Sequence, residues 1–229
     1  MRQKVVLLWD NPLNGFVMAV VSLVLFALVL SVLRMFITAS TEFWYLIWNL
    51  FLAVIPVGFA LLLYKNTKKG IVWSWKNGFL FGLWLLFLPN AFYLVSDFVH
   101  LPESPIDMHM YDVVLFSTYA ILGFILGFIS LGLVHFRFRQ RSRQLSNIVV
   151  FGSLFLCGYA IYLGRFLRWN SWDVITNPFG IVFDVSRSII DVSEYSKSLG
   201  TTVLFFVFLS CLYFVIWKAY LFAHATAKR

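Results

Sequence analysis

The chain has 229 residues, of which 61% are apolar or aromatic and only 12% are charged. Ordinary soluble domains carry about 25% charged residues, so this composition excludes a soluble globular protein and predicts an integral membrane protein. The net charge of +8 does not indicate a nucleic-acid partner, because the basic residues are sorted by membrane side. The two cysteines, Cys157 and Cys211, lie inside apolar runs and predict neither a disulfide framework nor a zinc site.

Six apolar runs are long enough to cross a membrane. A hydrocarbon core about 30 Å thick requires about 20 apolar residues of helix. The predicted spans are 13–35, 43–64, 76–96, 112–135, 146–165 and 201–222. We therefore predict an all-α, polytopic transmembrane helix bundle that forms a single integral membrane domain over residues 1–229.

The distribution of Lys and Arg predicts the orientation of these spans. With a cytoplasmic N-terminus, 13 of the 18 basic residues and one acid fall on the inner side, and five basic residues and nine acids fall on the outer side. Both termini are therefore expected in the cytoplasm. The basic loop 137–143 is then expected to lie against anionic lipid headgroups.

The segment 165–200 is too long for a tight turn between two spans. Its apolar residues share one helical face, and its charged residues lie on the opposite face. The first face carries Phe179, Val182, Phe183, Ser186, Ile189 and Ile190, and the opposite face carries Asp184, Arg187, Asp191 and Glu194. This pattern predicts a short amphipathic helix that lies on the outer leaflet or caps the bundle.

A layer of polar residues is predicted in the outer half of the membrane, where buried polar groups are costly. At 1.5 Å per residue, Asn49 and Asn90 lie about 9 and 10 Å below the outer boundary. Pro89 lacks an amide hydrogen and should leave the Leu85 carbonyl without its helical partner. Asn90 either supplies that missing hydrogen bond or lines a cavity that is open to the outer side.

Charged residues are predicted to form a ring above this layer. Asp97 and His100 are spaced to share a helical face, and Asp112 follows after a short loop. Arg165 and Arg168 stand at the end of the fifth span, amid aromatic residues. The two arginines are either membrane anchors, partners in a structural Arg–Asp network, or a site for an anionic group such as phosphate or carboxylate.

The same ring contains residue types that bind metals, namely Asp97, His100, His109 and Asp112. An isolated Asp-x-x-His is a weak signal, and neither a zinc-protease motif, a cysteine pair nor an EF-hand loop accompanies it. No phosphate-binding loop or dinucleotide fingerprint is present either. We therefore expect no metal and no cofactor.

Two strings carry a family resemblance: LPNAFYLVSDFVHL at 88–101 and YLGRFLRWNSWD at 162–173. With WNLFLAVIP at 48–56, Tyr111-Asp112 and Asn177-Pro178, they resemble a bacterial multi-pass membrane family classed as domain of unknown function 1361. The resemblance extends over about 45–220 and implies a protein of the bacterial cytoplasmic membrane. The positions that match the family motifs are Asn90, Tyr93, Asp97, His100, Asp112, Arg165, Arg168, Asn170, Trp172 and Asp173. The resemblance implies no reaction, cofactor or substrate.

Three hypotheses remain open at this point. In the first, the outer face binds an anionic lipid headgroup or a lipid-linked precursor, and if group transfer occurs, Asp97, His100 or Asp112 acts as the general base. The candidate residues for the anionic ligand are Arg165, Arg168, Asn170, Trp172, Asp173, Asn90 and Tyr93. In the second, the protein is a small-solute transporter that uses Asn49 and Asn90. In the third, it is an accessory or scaffold protein without chemistry, whose protein partners are unknown.

Overall fold

The computed structural model describes residues 11–67 and 74–226, and all of the regular secondary structure in these two ranges is helical. The helices are α1 (Pro12–Thr38), α2 (Tyr45–Asn66), α3 (Trp75–Tyr93), α4 (His109–Arg141), α5 (Arg143–Phe166), α6 (Asp173–Thr176), α7 (Pro178–Ile190) and α8 (Val192–Thr226). A 3₁₀ segment, Leu94–Glu103, and a short 3₁₀ turn, Ile106–Met108, connect α3 to α4.

Six helices in the described ranges are long and apolar enough to cross a membrane: α1, α2, α3 with its 3₁₀ extension, α4, α5 and α8. This confirms the predicted all-α bundle of six spans and is the architecture of a multi-pass membrane protein. The single domain predicted over 1–229 and the cytoplasmic location of the termini stay predictions. Both termini, and the predicted inner-side residues Arg2, Lys4, Asp10, Lys68, Lys69, Lys228 and Arg229, lie outside the described ranges.

Side-chain caps explain where several helices begin. Asn11 stands directly before Pro12, the first residue of α1, and its side chain accepts a hydrogen bond from the Leu13 amide. Ser74 caps the start of α3 in the same way. Ser142 alone separates α4 from α5; its extended backbone breaks the helix, and its hydroxyl caps the Leu145 amide. The two helices therefore reverse direction within one residue.

Helix α4 is the centre of the bundle and the most buried of the six spans. It packs against α1, α2, α3, α5 and the 3₁₀ segment, whereas α8 packs mainly against α5 and α7. One core cluster, around Trp84, Leu88 and Leu131, joins α2, α3, α4, α5 and α8. A second, around Leu46, Phe116 and Tyr119, joins α1, α2 and α4.

A buried polar chain crosses the middle of the first cluster. The Trp84 indole donates to the Ser130 hydroxyl at 2.7 Å, and Ser130 donates to the Pro56 carbonyl at 3.1 Å. Three helices are therefore joined by hydrogen bonds at a depth where no water is available to replace them.

The bounds of two spans differ from the predicted ones for physical reasons. The third was expected to remain α-helical to residue 96, but the α-helix ends at Tyr93 and the chain continues as the 3₁₀ segment. The sixth was expected over 201–222 but has 35 residues, which corresponds to about 52 Å of helix. The first turns of this helix contain polar residues such as Glu194. Their hydropathy therefore did not indicate a membrane span, although the region is helical.

The predicted amphipathic helix is present as α7. Its apolar side chains Phe179, Val182 and Phe183 are exposed, whereas Asp184 on the other face accepts a hydrogen bond from the Trp169 indole at 2.9 Å. The polar face of α7 is thus turned toward the protein and its apolar face away from it.

The two ends of the bundle differ in charge. We call the end with the 3₁₀ segment, α6 and α7 the acidic end, because all nine acidic residues of the described ranges belong to the segments at this end. We call the end with the α4–α5 turn the basic end, and it carries Lys65, Lys76, Arg137, Arg139, Arg141, Arg143 and Lys218.

The contact between α5 and α8 depends on a glycine. A Cβ atom at Gly158 would lie 2.5 Å from the Thr202 carbonyl oxygen and 3.3 Å from the Phe206 amide nitrogen, both of which are backbone atoms. We expect Gly158→Ala to destabilise the protein by about 1–3 kcal/mol, because the two helices must separate. Thermal unfolding in detergent measures this effect.

Gly152→Ala is the matched control, because it lies on the same helix and nothing stands within 4 Å of the position that its Cβ atom would take. This variant should unfold at the wild-type temperature or slightly above it. Equal unfolding temperatures for the two variants would contradict the close approach of α5 and α8.

Candidate functional site

A polar cavity of about 340 Å³ opens at the acidic end, within the size range of small-ligand sites. We call it the polar cavity. Its polar lining consists of Tyr45, Asn49, Asn90, Tyr93, Asp97, His100, Arg165, Asn170 and Ser171. Its apolar lining includes Leu52, Leu86, Pro89, Ala160 and Leu163, from the transmembrane parts of α2, α3 and α5.

The 3₁₀ segment directs two of the candidate residues into this cavity. A 3₁₀ helix has three residues per turn, so side chains three apart stand directly above one another. Asp97 and His100 therefore share a face, as their spacing predicted, and both line the cavity. Ser96 stabilises the change from α to 3₁₀ geometry because its hydroxyl donates to the Tyr93 carbonyl at 2.7 Å.

A buried ion pair joins the 3₁₀ segment to α5. The Arg165 Nη2 atom lies 2.7 Å from the Oδ1 atom of Asp97, whose side chain is only 1% exposed. The Asn49 amide donates to the second carboxylate oxygen at 3.1 Å. Arg165 also donates twice to the Ser96 hydroxyl. A carboxylate so far from water requires such partners, so the pair fixes the relative positions of α2, α5 and the 3₁₀ segment.

The hydrogen bonds of His100 determine which ring nitrogen carries the hydrogen. Arg165 Nη1 lies 3.0 Å from His100 Nε2, and a guanidinium can only donate. The Nε2 atom is therefore the acceptor, and Nδ1 carries the hydrogen and donates to Glu103, whose oxygens lie at 3.2 and 3.3 Å. Protonation of Nε2 would direct a second donor at Arg165, so this arrangement belongs to neutral His100.

The guanidinium of Arg165 also lies over an aromatic ring of the cavity wall. Its central carbon is 4.6 Å from the centre of the Tyr93 ring, a favourable cation–π contact. The neighbouring residue must be small, because a Cβ atom at Gly164 would lie 2.9 Å from the same ring. Gly164 thus allows Tyr93 to pack against α5 beside Arg165.

Asn90 and Ser171 bind the backbone of α3 near Pro89. The Asn90 amide donates to the Phe87 carbonyl at 3.1 Å and to the Ser171 hydroxyl at 2.8 Å, and Ser171 donates to the Leu86 carbonyl at 3.2 Å. The Asn90 amide therefore binds a backbone carbonyl in the turn that contains Pro89, but this carbonyl belongs to Phe87 rather than to Leu85, as was expected. Asn90 also lines the polar cavity, so the two roles proposed from the sequence are compatible.

The loop after α5 separates Arg168 from Arg165. Helix α5 ends at Phe166, so the spacing of Arg165, Arg168 and Trp172 does not put them on a common helical face. Arg168 is exposed and adopts a left-handed conformation with φ of 60°, which costs a residue with a side chain about 1–2 kcal/mol. Non-glycine residues held in this way are often found at functional sites.

The remaining candidates of this loop have local partners. The Asp173 carboxylate accepts hydrogen bonds from the Asn170 backbone amide at 2.7 Å and from the Thr176 hydroxyl at 3.0 Å. The Trp172 ring makes an edge contact with Trp48. Of this group Asn170 lines the polar cavity, and Asp173 and Trp172 hold the loop beside it.

Asp112 lies in a second ion pair, apart from the polar cavity. Its two carboxylate oxygens lie 3.2 Å from Nε and 3.1 Å from Nη2 of Arg34, and both side chains are almost fully buried. The Ser104 hydroxyl donates to Asp112 at 2.6 Å. This pair joins α1 to α4, which makes Asp112 a structural clamp in this geometry.

Sequence reasoning missed Tyr45 and Arg34. The Tyr45 hydroxyl is buried without a hydrogen-bond partner in the described ranges, and its ring lies against His100. Its position four residues before Asn49 was a usable signal, because residues four apart share a helical face. For Arg34 no local signal exists, since its partner is 78 residues away.

Within residues 11–67 and 74–226, no group of three or more His, Cys, Asp or Glu side chains is arranged to hold a metal ion. The titratable side chains that are connected by hydrogen bonds beside the polar cavity are Asp97, His100, Glu103 and Arg165. These four groups are joined to one another, so the cavity can offer hydrogen bonds, one imidazole nitrogen and one guanidinium edge.

Comparison with known proteins identifies the family. The family described as "Protein of unknown function (DUF1361)" matches residues 48–216, which is more than half of the chain. The chain belongs to the DUF1361 family. No curated protein and no solved structure matches it. The DUF1361 region contains every residue that lines the polar cavity except Tyr45.

We expect Asp112→Asn to destabilise this DUF1361 protein by about 3–5 kcal/mol, because the buried Arg34 charge would lose its carboxylate. The double variant Arg34→Met, Asp112→Leu removes both charges and should recover most of that loss. Unfolding in detergent measures the three proteins. If Asp112→Asn unfolds like the wild type, Asp112 is not a clamp and becomes a candidate reactive group again.

Proposed function

We propose that this membrane protein binds the headgroup of an anionic lipid or of a lipid-linked substrate in the polar cavity. The observation that carries the proposal is the division of the lining. Hydrogen-bonding side chains surround Asp97 and Arg165, whereas Leu52, Leu86 and Ala160 line the cavity toward the middle of the spans. A ligand with a polar head and an apolar tail matches such a surface better than a fully polar solute does.

The hydrogen bonds of Arg165 support an anionic ligand. Its Nε and Nη2 atoms are bound to Ser96 and Asp97, but Nη1 meets only the neutral acceptor His100 Nε2. Hydrogen bonds from a guanidinium to an anionic oxygen are about twice as strong as neutral ones. A phosphate or carboxylate oxygen would therefore replace His100 at Nη1, and the exposed Arg168 at the loop beside the cavity adds a second cation.

Of the three candidate general bases, His100 is the best suited to act on such a ligand. Asp97 is held by Arg165 and Asn49, and Asp112 is held by Arg34 and Ser104. When the ligand takes over Arg165 Nη1, the Nε2 atom of His100 becomes an unoccupied acceptor that faces the cavity. The Glu103 carboxylate orients the ring through Nδ1, the arrangement that general-base histidines require.

We further propose that the protein lies in the bacterial cytoplasmic membrane with its basic end in the cytoplasm. The family resemblance supports the location, and the excess of Lys and Arg at the basic end supports the orientation. The polar cavity would then open to the outer side, and the exposed apolar face of α7 would rest on the outer leaflet.

Tyr45→Phe tests the binding site without removing a structural contact. The Tyr45 hydroxyl has no hydrogen-bond partner in the described part of the chain, and an unpaired buried hydroxyl costs about 1–3 kcal/mol. The variant should therefore unfold at or above the wild-type temperature, yet bind the headgroup about tenfold more weakly because one hydrogen bond to a charged group is lost. Native mass spectrometry in mild detergent measures retention of phosphatidylglycerol or a polyprenyl phosphate, with phosphatidylcholine as the comparison lipid.

Tyr111→Phe is the matched control. Its hydroxyl donates to the Leu30 carbonyl at 2.6 Å, away from the polar cavity, so this variant should lose stability and keep the lipid. A second variant, Arg168→Gly, removes a cation while glycine adopts the left-handed turn freely. Undiminished lipid retention in both Tyr45→Phe and Arg168→Gly would overturn the proposed site.

The orientation is tested by thiol labelling in intact bacterial cells, in a Cys157→Ala, Cys211→Ala background. Ile106→Cys lies at the acidic end, where Ile106 is 93% exposed, and should react with a membrane-impermeant reagent. Lys76→Cys, exposed at the basic end, should react only after the cells are permeabilised. The reverse pattern would show that the acidic end faces the cytoplasm.

A further inference from the structure

A second cavity, of about 260 Å³, lies at the basic end between α4, α5 and α8. We call it the basic cavity. Three cations line it, Arg139, Arg143 and Lys218, and no acidic side chain does. In the described ranges every acidic residue belongs to the opposite end of the bundle, so no carboxylate described there balances these charges.

Two buried polar atoms of the basic cavity also have no hydrogen-bond partner in the described part of the chain. They are Nε2 of His135, a residue that is only 4% exposed, and Oγ of Ser210. The Nδ1 atom of His135 is bound to the Tyr213 hydroxyl at 2.6 Å. When that hydroxyl donates to Nδ1, Nε2 carries the ring hydrogen and presents a donor to the cavity.

Aromatic rings pack against two of the three cations and against the imidazole. The His135 ring packs on the Trp217 ring with their centres 4.3 Å apart, and the Arg139 guanidinium lies 5.3 Å from the same indole. Lys218 lies 5.3 Å from the centre of the Phe214 ring. Positively charged side chains and hydrogen-bond donors without a described partner therefore surround the basic cavity, as an anion site requires.

We infer that the basic cavity binds the phosphate of an anionic phospholipid. Phosphate satisfies three cations and two uncharged polar groups at once, and basic cavities between transmembrane helices are suited to such headgroups. The flanking side chains Phe151, Phe214 and Leu221 are exposed and apolar. They offer the surface that acyl chains need and a free phosphate ion does not use. This site is at the opposite end from the polar cavity and does not depend on the function proposed for it.

The test compares lipid binding by variants that carry the same net charge. Arg139→Gln, Lys218→Gln removes two cations from the basic cavity, and Lys65→Gln, Lys76→Gln removes two exposed cations from the same end outside it. All of these proteins also carry Tyr45→Phe and Arg168→Gly, the changes expected to weaken binding at the polar cavity. Titration of the detergent-solubilised full chain with phosphatidylglycerol, followed by native mass spectrometry, then gives the affinity of the basic cavity. We expect about 5-fold weaker binding for each cation lost from the cavity and about 25-fold for both, with little change in the control.

Ser210→Ala provides a variant whose folding is not in question, because it removes a hydroxyl that has no partner in the described ranges. It should weaken phosphatidylglycerol binding several-fold at an unchanged unfolding temperature.

Inorganic phosphate serves as the second ligand and should not compete with the lipid at equal concentration. An equal loss of lipid affinity in the cavity and control variants would show that the effect comes from general surface charge, and it would overturn the site. Equally tight binding of inorganic phosphate would overturn its assignment to a lipid.

Discussion

A carboxylate among apolar helices is stable only when a cation and hydrogen-bond donors accompany it, and Asp97 obtains these from two other helices. Arg165 comes from α5, Asn49 from α2, and Asp97 itself from the 3₁₀ segment. Removal of Arg165 would leave the carboxylate charge uncompensated, and removal of Asn49 would leave one carboxylate oxygen without its hydrogen-bond donor. The pair therefore determines where α2, α5 and the 3₁₀ segment stand, and with them the walls of the polar cavity. The same guanidinium fixes the tautomer of His100, so the ion pair and the imidazole that lines the polar cavity belong to one hydrogen-bonded group.

The sequence was sufficient to predict the number of spans, because the length and apolar composition of each run determine whether it can cross a membrane. It was also sufficient to predict α7, because the two faces of this helix differ in polarity over three turns. The sharing of a face by Asp97 and His100 was also predictable, since residues three apart lie together in both α and 3₁₀ geometry. The end of α5 was not predictable. Residues 167–177 contain no glycine or proline that would mark the helix end, and the chain turns through the left-handed Arg168. The arginine pair expected on one face is therefore divided. The partner of Asp112 was equally hidden, because Arg34 belongs to a different helix and only tertiary packing brings the two together.

The two cavities use their charges differently. At the acidic end each buried cation is matched by a carboxylate, Arg165 by Asp97 and Arg34 by Asp112, so fixed ion pairs stabilise the bundle and leave few donors free. At the basic end, Arg139 and Lys218 of the basic cavity contact aromatic rings instead. A ligand at the acidic end would have to displace the hydrogen bond between Arg165 and the neutral His100, whereas a ligand at the basic end would supply a missing negative charge.

The length of α8 links the bundle to the thickness of its membrane. About 52 Å of helix exceeds a hydrocarbon core of about 30 Å, so α8 must tilt or project. Its first turns bind the rest of the acidic end, since Glu194 accepts from Tyr162 of α5 and Ser198 donates to the Ser188 carbonyl of α7. Through Asp184, α7 in turn holds Trp169 at the wall of the polar cavity. These hydrogen bonds connect α8 through α7 to the wall of the polar cavity, so a bilayer thickness that changed the tilt of α8 would also act on the cavity mouth.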